Sequence, residues 1–385
     1  MSTRILFLGI LLMSTPLQAA PELVVSANDA KFVRDQGRGT YPPGQPSDSL
    51  ALLDVSGPPK ILATVDVQHS VHGPPQSVAI TPDGRLAFVS APDTYDEEAE
   101  ERSELHIVQV VDLKAKEVVQ RLDLGVHPQA LAVTPDGKRL LIVTTAGNVA
   151  VARIADGGAG VVQTVDLGGG LLGSVAVLPD GEFALVADRE AMGLSVLDLR
   201  GDAVRLMEHR ISSGVTPYAI DVSGDGRWAV VSNVGLAAMG GRRGVLVGDV
   251  DSVTLIDTSS YPFRAVQHLT VPAVPEGVAI SPDGRFIAAL CMNGSHLPPE
   301  AAGHNPRGAI RLFEIKDGAA RPVSTTEIGA APQGLVFTQD SRRLVVQLNV
   351  DRAIGIWKVS RKGLEDTGQR VQLTGGPTSI RTVPR

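Results

Sequence analysis

Pro75-Gln76-Ser77-Val78-Ala79-Ile80-Thr81-Pro82-Asp83-Gly84-Arg85 is the stretch whose reading decides the fold. Its apolar run has strand character and ends in Thr-Pro-Asp-Gly. Proline presets φ at the first corner of a tight turn, the aspartate side chain bonds back to the backbone, and glycine takes the positive φ. A second apolar run, Leu86 to Val89, follows at once, so the unit reads as a hairpin. The same unit returns at Pro128–Lys138 (PQALAVTPDGK), Leu172–Glu182 (LGSVAVLPDGE), Pro217–Arg227 (PYAIDVSGDGR), Pro275–Arg285 (PEGVAISPDGR) and Pro332–Arg342 (PQGLVFTQDSR). A degenerate copy, Pro377–Val383 (PTSIRTV), lies at the C-terminus.

The turn aspartates Asp83, Asp136, Asp180, Asp225, Asp283 and Asp340 are 44 to 58 residues apart. That interval leaves room for two more strands per unit. The third ends in an acid and an aliphatic or β-branched residue, as in Asp112-Leu113, Asp198-Leu199 and Asp257-Thr258. Four antiparallel strands repeated at this period are the signature of a β-propeller blade. Six full copies and the terminal one predict seven blades in an all-β ring. The last copy lacks its outer strands, and the N-terminus has spare ones: Leu23-Val24-Val25-Ser26, Leu50–Asp54 and Ile61–Val67. The ring is therefore expected to close with one inner strand from the C-terminus and three outer strands from the N-terminus, which removes exposed sheet edges.

The composition agrees with this. The chain has 385 residues, 43% apolar and only 4% aromatic, with 41 glycines, which suits many short aliphatic strands joined by turns. The formal charge of −7 argues against nucleic acid as the main partner, because phosphate binding needs a basic face. Residues 1–19 read as a signal peptide: Arg4, then the apolar run Ile5 to Met13, then Leu17-Gln18-Ala19. The run is too short to span a bilayer. Residues 20–385 are then one exported propeller domain, periplasmic or secreted. The single cysteine, Cys291, allows no intramolecular disulfide, so stability must come from burial.

The repeat resembles that of the YVTN-repeat, lactonase-like group of seven-bladed propellers. The Pro-Asp-Gly turns and strand ends such as Val143-Thr144-Thr145 and Val231-Ser232-Asn233 carry the likeness over nearly the whole mature chain. The Trp-Asp pair of WD40-like repeats is absent. The resemblance implies a polar channel mouth lined by arginine and histidine. It transfers no catalytic motif residue by residue.

Insertions fall between second and third strands at Ala27–Ser49, Ala91–Glu104, Asn233–Asp251 and Met292–Gly308. These loops emerge on one face, where function concentrates. They predict two raised walls, one from blades 7 and 1 and one from blades 4 and 5, with a groove between. The fifth motif position is small in most copies but is Asp221 in blade 4 and Arg381 in blade 7. A charge there is costly unless paired or hydrated, so it marks either a polar site in the channel or an ion pair between blades.

His69, His72, His127, His296 and His304 map to the loop-rich face. They lack the spacing of a metal motif, so no metal or cofactor is expected, with a divalent cation as the lesser reading. The segment Asp93–Glu104 holds seven acids and one arginine and reads as a solvated charged loop. Ligand-binding candidates on this face are His72, His127, Arg189, Glu190, Asn233, Asn293, His296, Asn349, Asp351 and Arg352, and Arg242 and Arg243 cap the blade 4 wall. Asp221, His127, Arg189 and Arg381 are the candidates for catalysis. Three functions remain open: binding of a small ligand or exported protein partner, lactonase-type opening of a cyclic ester, and service as an accessory subunit of a periplasmic redox or surface complex.

Overall fold

A computed structural model describes residues 21–235 and 250–384. The leader reading of residues 1–19, and that of Arg242 and Arg243, lie outside the described residues. Seven four-stranded antiparallel sheets form the ring, and among the described residues there is no helix. Blades 1 to 6 each run from the inner strand outward in chain order, beginning at Val78–Ile80, Pro128–Val133, Leu172–Val177, Pro217–Val222, Pro275–Ile280 and Pro332–Phe337. Blade 7 closes the ring as expected. Its inner strand is Gly376–Thr382, and Leu23–Asp29, Ser49–Asp54 and Lys60–Asp66 follow outward.

The hairpin turn behaves as its chemistry requires. Gly84 donates its N–H to the Thr81 carbonyl at 2.9 Å with φ of 66°. Leu86 donates to the Thr81 hydroxyl oxygen at 3.0 Å, so the threonine side chain sets the register of the second strand. In blade 6, Ser341 takes the left-handed position with φ of 61°, which explains why that copy tolerates Gln-Asp-Ser.

The core is a chain of apolar layers between adjacent blades. One layer joins blades 6 and 7 through Val24, Leu53, Val345, Ile354 and Ile380. Another joins blades 7 and 1 through Val25, Leu50, Val78 and Val89. The closing strand is thus held by backbone pairing on one edge, with Val25 opposite Arg381, and by burial against blade 6. Ring closure makes the stability of the two ends of the chain one quantity.

Two expectations about the loop-rich face are corrected. The acidic segment of blade 1 is not a loop: strands Leu86–Asp96 and Glu101–Asp112 continue as a paired hairpin out to Asp96 opposite Glu101. A bulge between Ala91 and Asp93 turns Asp93 inward, where it is 2% exposed. Of the two expected walls, residues 236–249 of the blade 4 insertion lie outside the described residues, and the blade 7 insertion does not stand apart as a wall. The blade 7 insertion folds into a small hairpin, Val33–Asp35 with Arg38–Thr40, that reaches the blade 5 insertion. Arg34 donates from Nη1 to the His296 carbonyl at 3.2 Å, and Arg38 pairs with Glu300. Gly37 lies so close to the backbone of Leu297 and Pro298 that a Cβ would collide with it. This strap passes from blade 7 to blade 5, past the intervening blade 6, and roofs part of the channel mouth.

Candidate functional site at the roofed channel mouth

The second motif position points into the channel at its loop-rich end. Around the ring it is Gln76, Gln129, Gly173, Tyr218, Glu276, Gln333 and Thr378. The flanking positions repeat because they pack. This one varies because its neighbours differ from blade to blade, as Gln76 on Ile220 and Thr378 on His69 show, and that variation was the signal available in the sequence. The fifth position, which carries Asp221 and Arg381, gives no sign of Glu276 and Tyr218.

Glu276, on the inner strand of blade 5, is the central group. Burial drives its carboxyl up to about 7 from an ordinary 4.5, against the pull of the Arg189 and Arg34 guanidinium groups that face it. Arg189 leaves the second strand of blade 3 and lies over the Tyr218 ring, 4.9 Å from its centroid. The arginine is fixed by an aromatic face rather than by a carboxylate, so its hydrogen-bonding edge is spared. Burial raises the Tyr218 hydroxyl well above its usual range, and the Glu276 charge adds to this. Arg34 comes down from the strap. Its guanidinium lies 5.3 Å from the Phe32 centroid, and burial lowers its pKa against the favourable field of Glu276.

Buried polar atoms around this mouth lack partners among the described residues: Arg34 Nε, Asp93 Oδ1, His127 Nε2, Gln129 Oε1, Arg189 Nε, Asn233 Oδ1 and His296 Nδ1. Such atoms are rare in folded proteins, and each costs about 1–3 kcal/mol when left dry. They come from blades 1 to 5 and the strap, and they leave hydrogen-bonding capacity at the loop-rich end of the channel. Burial depresses the His127 and His296 imidazoles below the usual histidine range, and Arg34 adds to the effect at His296. Both are neutral near pH 7.

His72, on the blade 1 side, has Nδ1 2.9 Å from Asp93 Oδ2, 3.0 Å from Ser70 Oγ and 3.0 Å from Arg102 Nη1. Burial pushes the Asp93 carboxyl up, but bonds from His72 and Ser70 outweigh it and hold the group below its ordinary value. His69 is fully buried and structural: Nδ1 bonds the Ser90 carbonyl at 3.0 Å and Nε2 meets Thr378 Oγ1 at 2.7 Å. His304 bonds the Leu297 carbonyl through Nδ1 at 2.9 Å, which braces the loop that the strap rests on.

The remaining sequence candidates divide. Asn233 donates to Ser252 Oγ and Thr254 Oγ1 at 3.1 and 2.9 Å, and its Oδ1 is the unpartnered atom. Asn293 and Asn349 donate to the Arg307 and Pro377 carbonyls, both at 3.3 Å, and brace their loops. Arg352 donates to Gln45 Oε1 at 2.9 Å and to the Thr374 carbonyl at 3.2 Å, tying blade 6 to the blade 7 insertion. Glu190 and Asp351 are exposed beside Gly170 and Gly329.

Asp221 and Arg381 do line the channel, but at its other end. Asp221 accepts the Ile280 N–H at 2.9 Å, and Arg381 reaches the Val175 carbonyl at 3.3 Å. They share a lower cavity of about 110 Å³ with apolar walls such as Leu131, Val222 and Leu335. A single site combining Asp221 with Arg189 or His127 is thus not what the fold assembles. Among the described residues no three of His, Cys, Asp or Glu converge as metal ligands, and no helix is long and apolar enough to cross a membrane.

Solved structures share this architecture. A candidate 6-phosphogluconolactonase from Bacteroides uniformis is 14% identical with a TM-score of 0.68, over 94% of this chain and 99% of that one. The periplasmic gluconolactonase of Pseudomonas aeruginosa is 17% identical with a TM-score of 0.66, over 94% and 99%. The Kuenenia stuttgartiensis hydrazine synthase is 21% identical with a TM-score of 0.59, over 81% and 90%. At such identities the likeness shows the fold: a seven-bladed β-propeller like those of 6-phosphogluconolactonase type. No protein-family model and no curated protein matches the sequence.

Proposed function

We propose that the roofed mouth binds a small hydroxylated cyclic ester, of the sugar-lactone kind named for the neighbouring folds, and opens it by hydrolysis. The observation that carries this reading is Glu276, whose burial holds its carboxyl at about 7 while the charges of Arg189 and Arg34 act on it. Near neutral pH such a carboxyl is present in both forms, which suits general acid–base work.

As carboxylate it takes a proton from water while the water oxygen bonds to the ester carbonyl carbon. The guanidinium groups face the oxyanion that develops. The ring C–O bond then breaks, and the alkoxide recovers the proton from the Glu276 carboxylic acid. The product is a hydroxy acid, which releases one proton to solvent at neutral pH. The unpartnered atoms of His127, Gln129 and His296 are placed to hold substrate hydroxyls. Glu276, Arg34 and Arg189 are our proposed catalytic residues, in place of Asp221 and Arg381. The YVTN-repeat kinship and the exported location belong to the same proposal.

The test is proton release from a panel of five- and six-membered lactones, followed by pH-stat with protein beginning at Pro21. Hydrolysis is expected in the parent, with at least a hundredfold loss in Glu276→Gln and in Arg189→Gln. Binding of the hydroxy acids without turnover of any lactone supports the ligand-binding reading instead. Full activity in Glu276→Gln sinks the assignment.

A further inference from the structure

The lower cavity lies below the mouth, and Gln76 reaches across the ring at its mouth-side end. Every other residue lining the lower cavity comes from the fourth motif position or beyond, and Gln76 alone comes from the second. Its side chain leaves blade 1 and crosses the channel to blade 4. Gln76 Nε2 donates to the Ile220 carbonyl at 2.7 Å, and the Ile220 N–H donates to Gln76 Oε1 at 3.1 Å. The Ser174 hydroxyl of blade 3 donates to the same oxygen. The amide therefore makes a two-point bond to the backbone of an inner strand on the far side of the ring. Gln76 is 5% exposed, and all of its side-chain bonds run to blades 3 and 4.

We infer that Gln76 is the floor of the substrate site and sets the size of substrate it accepts. This rests on the reading of the mouth as a lactone site. Below the amide, the walls change character to Leu131, Val133, Val222, Val278, Leu335 and Val336, with Asp221 and Arg381 as the charged groups. A compact polar lactone fits above the floor. An alkyl substituent on the ring would have to pass it and would then meet apolar walls. The parent is thus specific for short, polar ring substituents, and removal of the Gln76 side chain opens a channel for lactones with straight alkyl chains. Gln76 positions substrate through its bulk and bonds, and takes no part in proton transfer.

Gln76→Ala and Gln76→Leu separate a floor from a ring brace, since both lose the cross-channel bonds but only alanine opens the passage. The assay is kcat/KM for γ-lactones with substituents from hydrogen to hexyl. A parallel calorimetric series measures binding of the ring-opened hydroxyalkanoates, which reads the site with or without turnover. In Gln76→Ala, both series are expected to gain about fourfold per methylene over the first three carbons. The gain should disappear when Arg189→Gln is added, because the head group must sit above. The parent and Gln76→Leu should show flat or falling series.

A flat series in Gln76→Ala overturns the inference, as does a rising series in the parent. Equal gains in the leucine and alanine variants also overturn it, because they would reflect loosening of the ring. If no lactone is turned over but the binding series rises only in Gln76→Ala, the floor stands and the hydrolase reading falls.

Discussion

Replacing Glu276 by glutamine should make the protein less sensitive to alkali. Burial holds the Glu276 carboxyl at about 7 against an ordinary 4.5, so the folded chain binds this proton more tightly than the unfolded chain does. Between those two pH values the folded state carries the extra proton. Stability contributed by the protonated form is complete below about 4.5 and is lost as pH rises through about 7. The interval between 4.5 and about 7, at about 1.4 kcal/mol per pH unit, comes to about 3 kcal/mol. Glutamine has the same shape and does not titrate. Its effect at low pH, including any change in contacts with Arg34 and Arg189, is an offset that pH does not alter.

The assay is urea unfolding of parent and Glu276→Gln at pH 4 and pH 8, with the difference between the two proteins taken at each pH. The variant is expected to gain about 3 kcal/mol on the parent between the acid and alkaline measurements. A gain under about 1 kcal/mol would show that water reaches the carboxyl freely. A loss would show that Arg189 and Arg34 hold Glu276 as an ordinary ion pair. Either result removes the argument that the site stores an unfavourable charge for use in chemistry.

Other outcomes follow from single contacts. Gly37→Val places a side chain against the Leu297 backbone, so it should unseat the strap: hydrogen exchange at residues 33–40 should rise and ligand affinity at the mouth should fall at least tenfold. Ile380→Ala empties a fully packed position on the closing strand and should cost about 2–5 kcal/mol by urea unfolding, the loss being global because the ring is one unit. His69 is held neutral by burial, so the unfolded chain takes up its proton first as pH falls. The parent should therefore lose stability below about pH 6.5, and His69→Gln should flatten that acid limb in a pH series of melting curves.

The ring was legible in the sequence because its information is local. Pro-Asp-Gly turns, period-2 apolar runs and the stray strand Leu50–Asp54 each follow from backbone chemistry within a few residues. Even the closure could be read, since an incomplete terminal blade leaves one place for three unassigned strands. The site was legible only in part. His127, Arg189 and His296 were found because they sit where the repeat ends and loops begin. Arg34 was missed because its place depends on the direction of the strap, set by Gly37 meeting Leu297 across 260 residues of chain. Asp93 was placed in a solvated loop because the bulge that turns it inward has no signature among six neighbouring acids. Gln76 and Glu276 look like ordinary polar residues after proline, and only the ring gathers them around one axis.

The pH dependence of kcat/KM for a small lactone tests the central claim most directly. A carboxyl base raised by burial predicts an acid limb with its midpoint near 7, absent from the residual rate of Glu276→Gln. A limb near the ordinary carboxylate value, or one that survives unchanged in Glu276→Gln, would contradict the account and move the chemistry away from the roofed mouth.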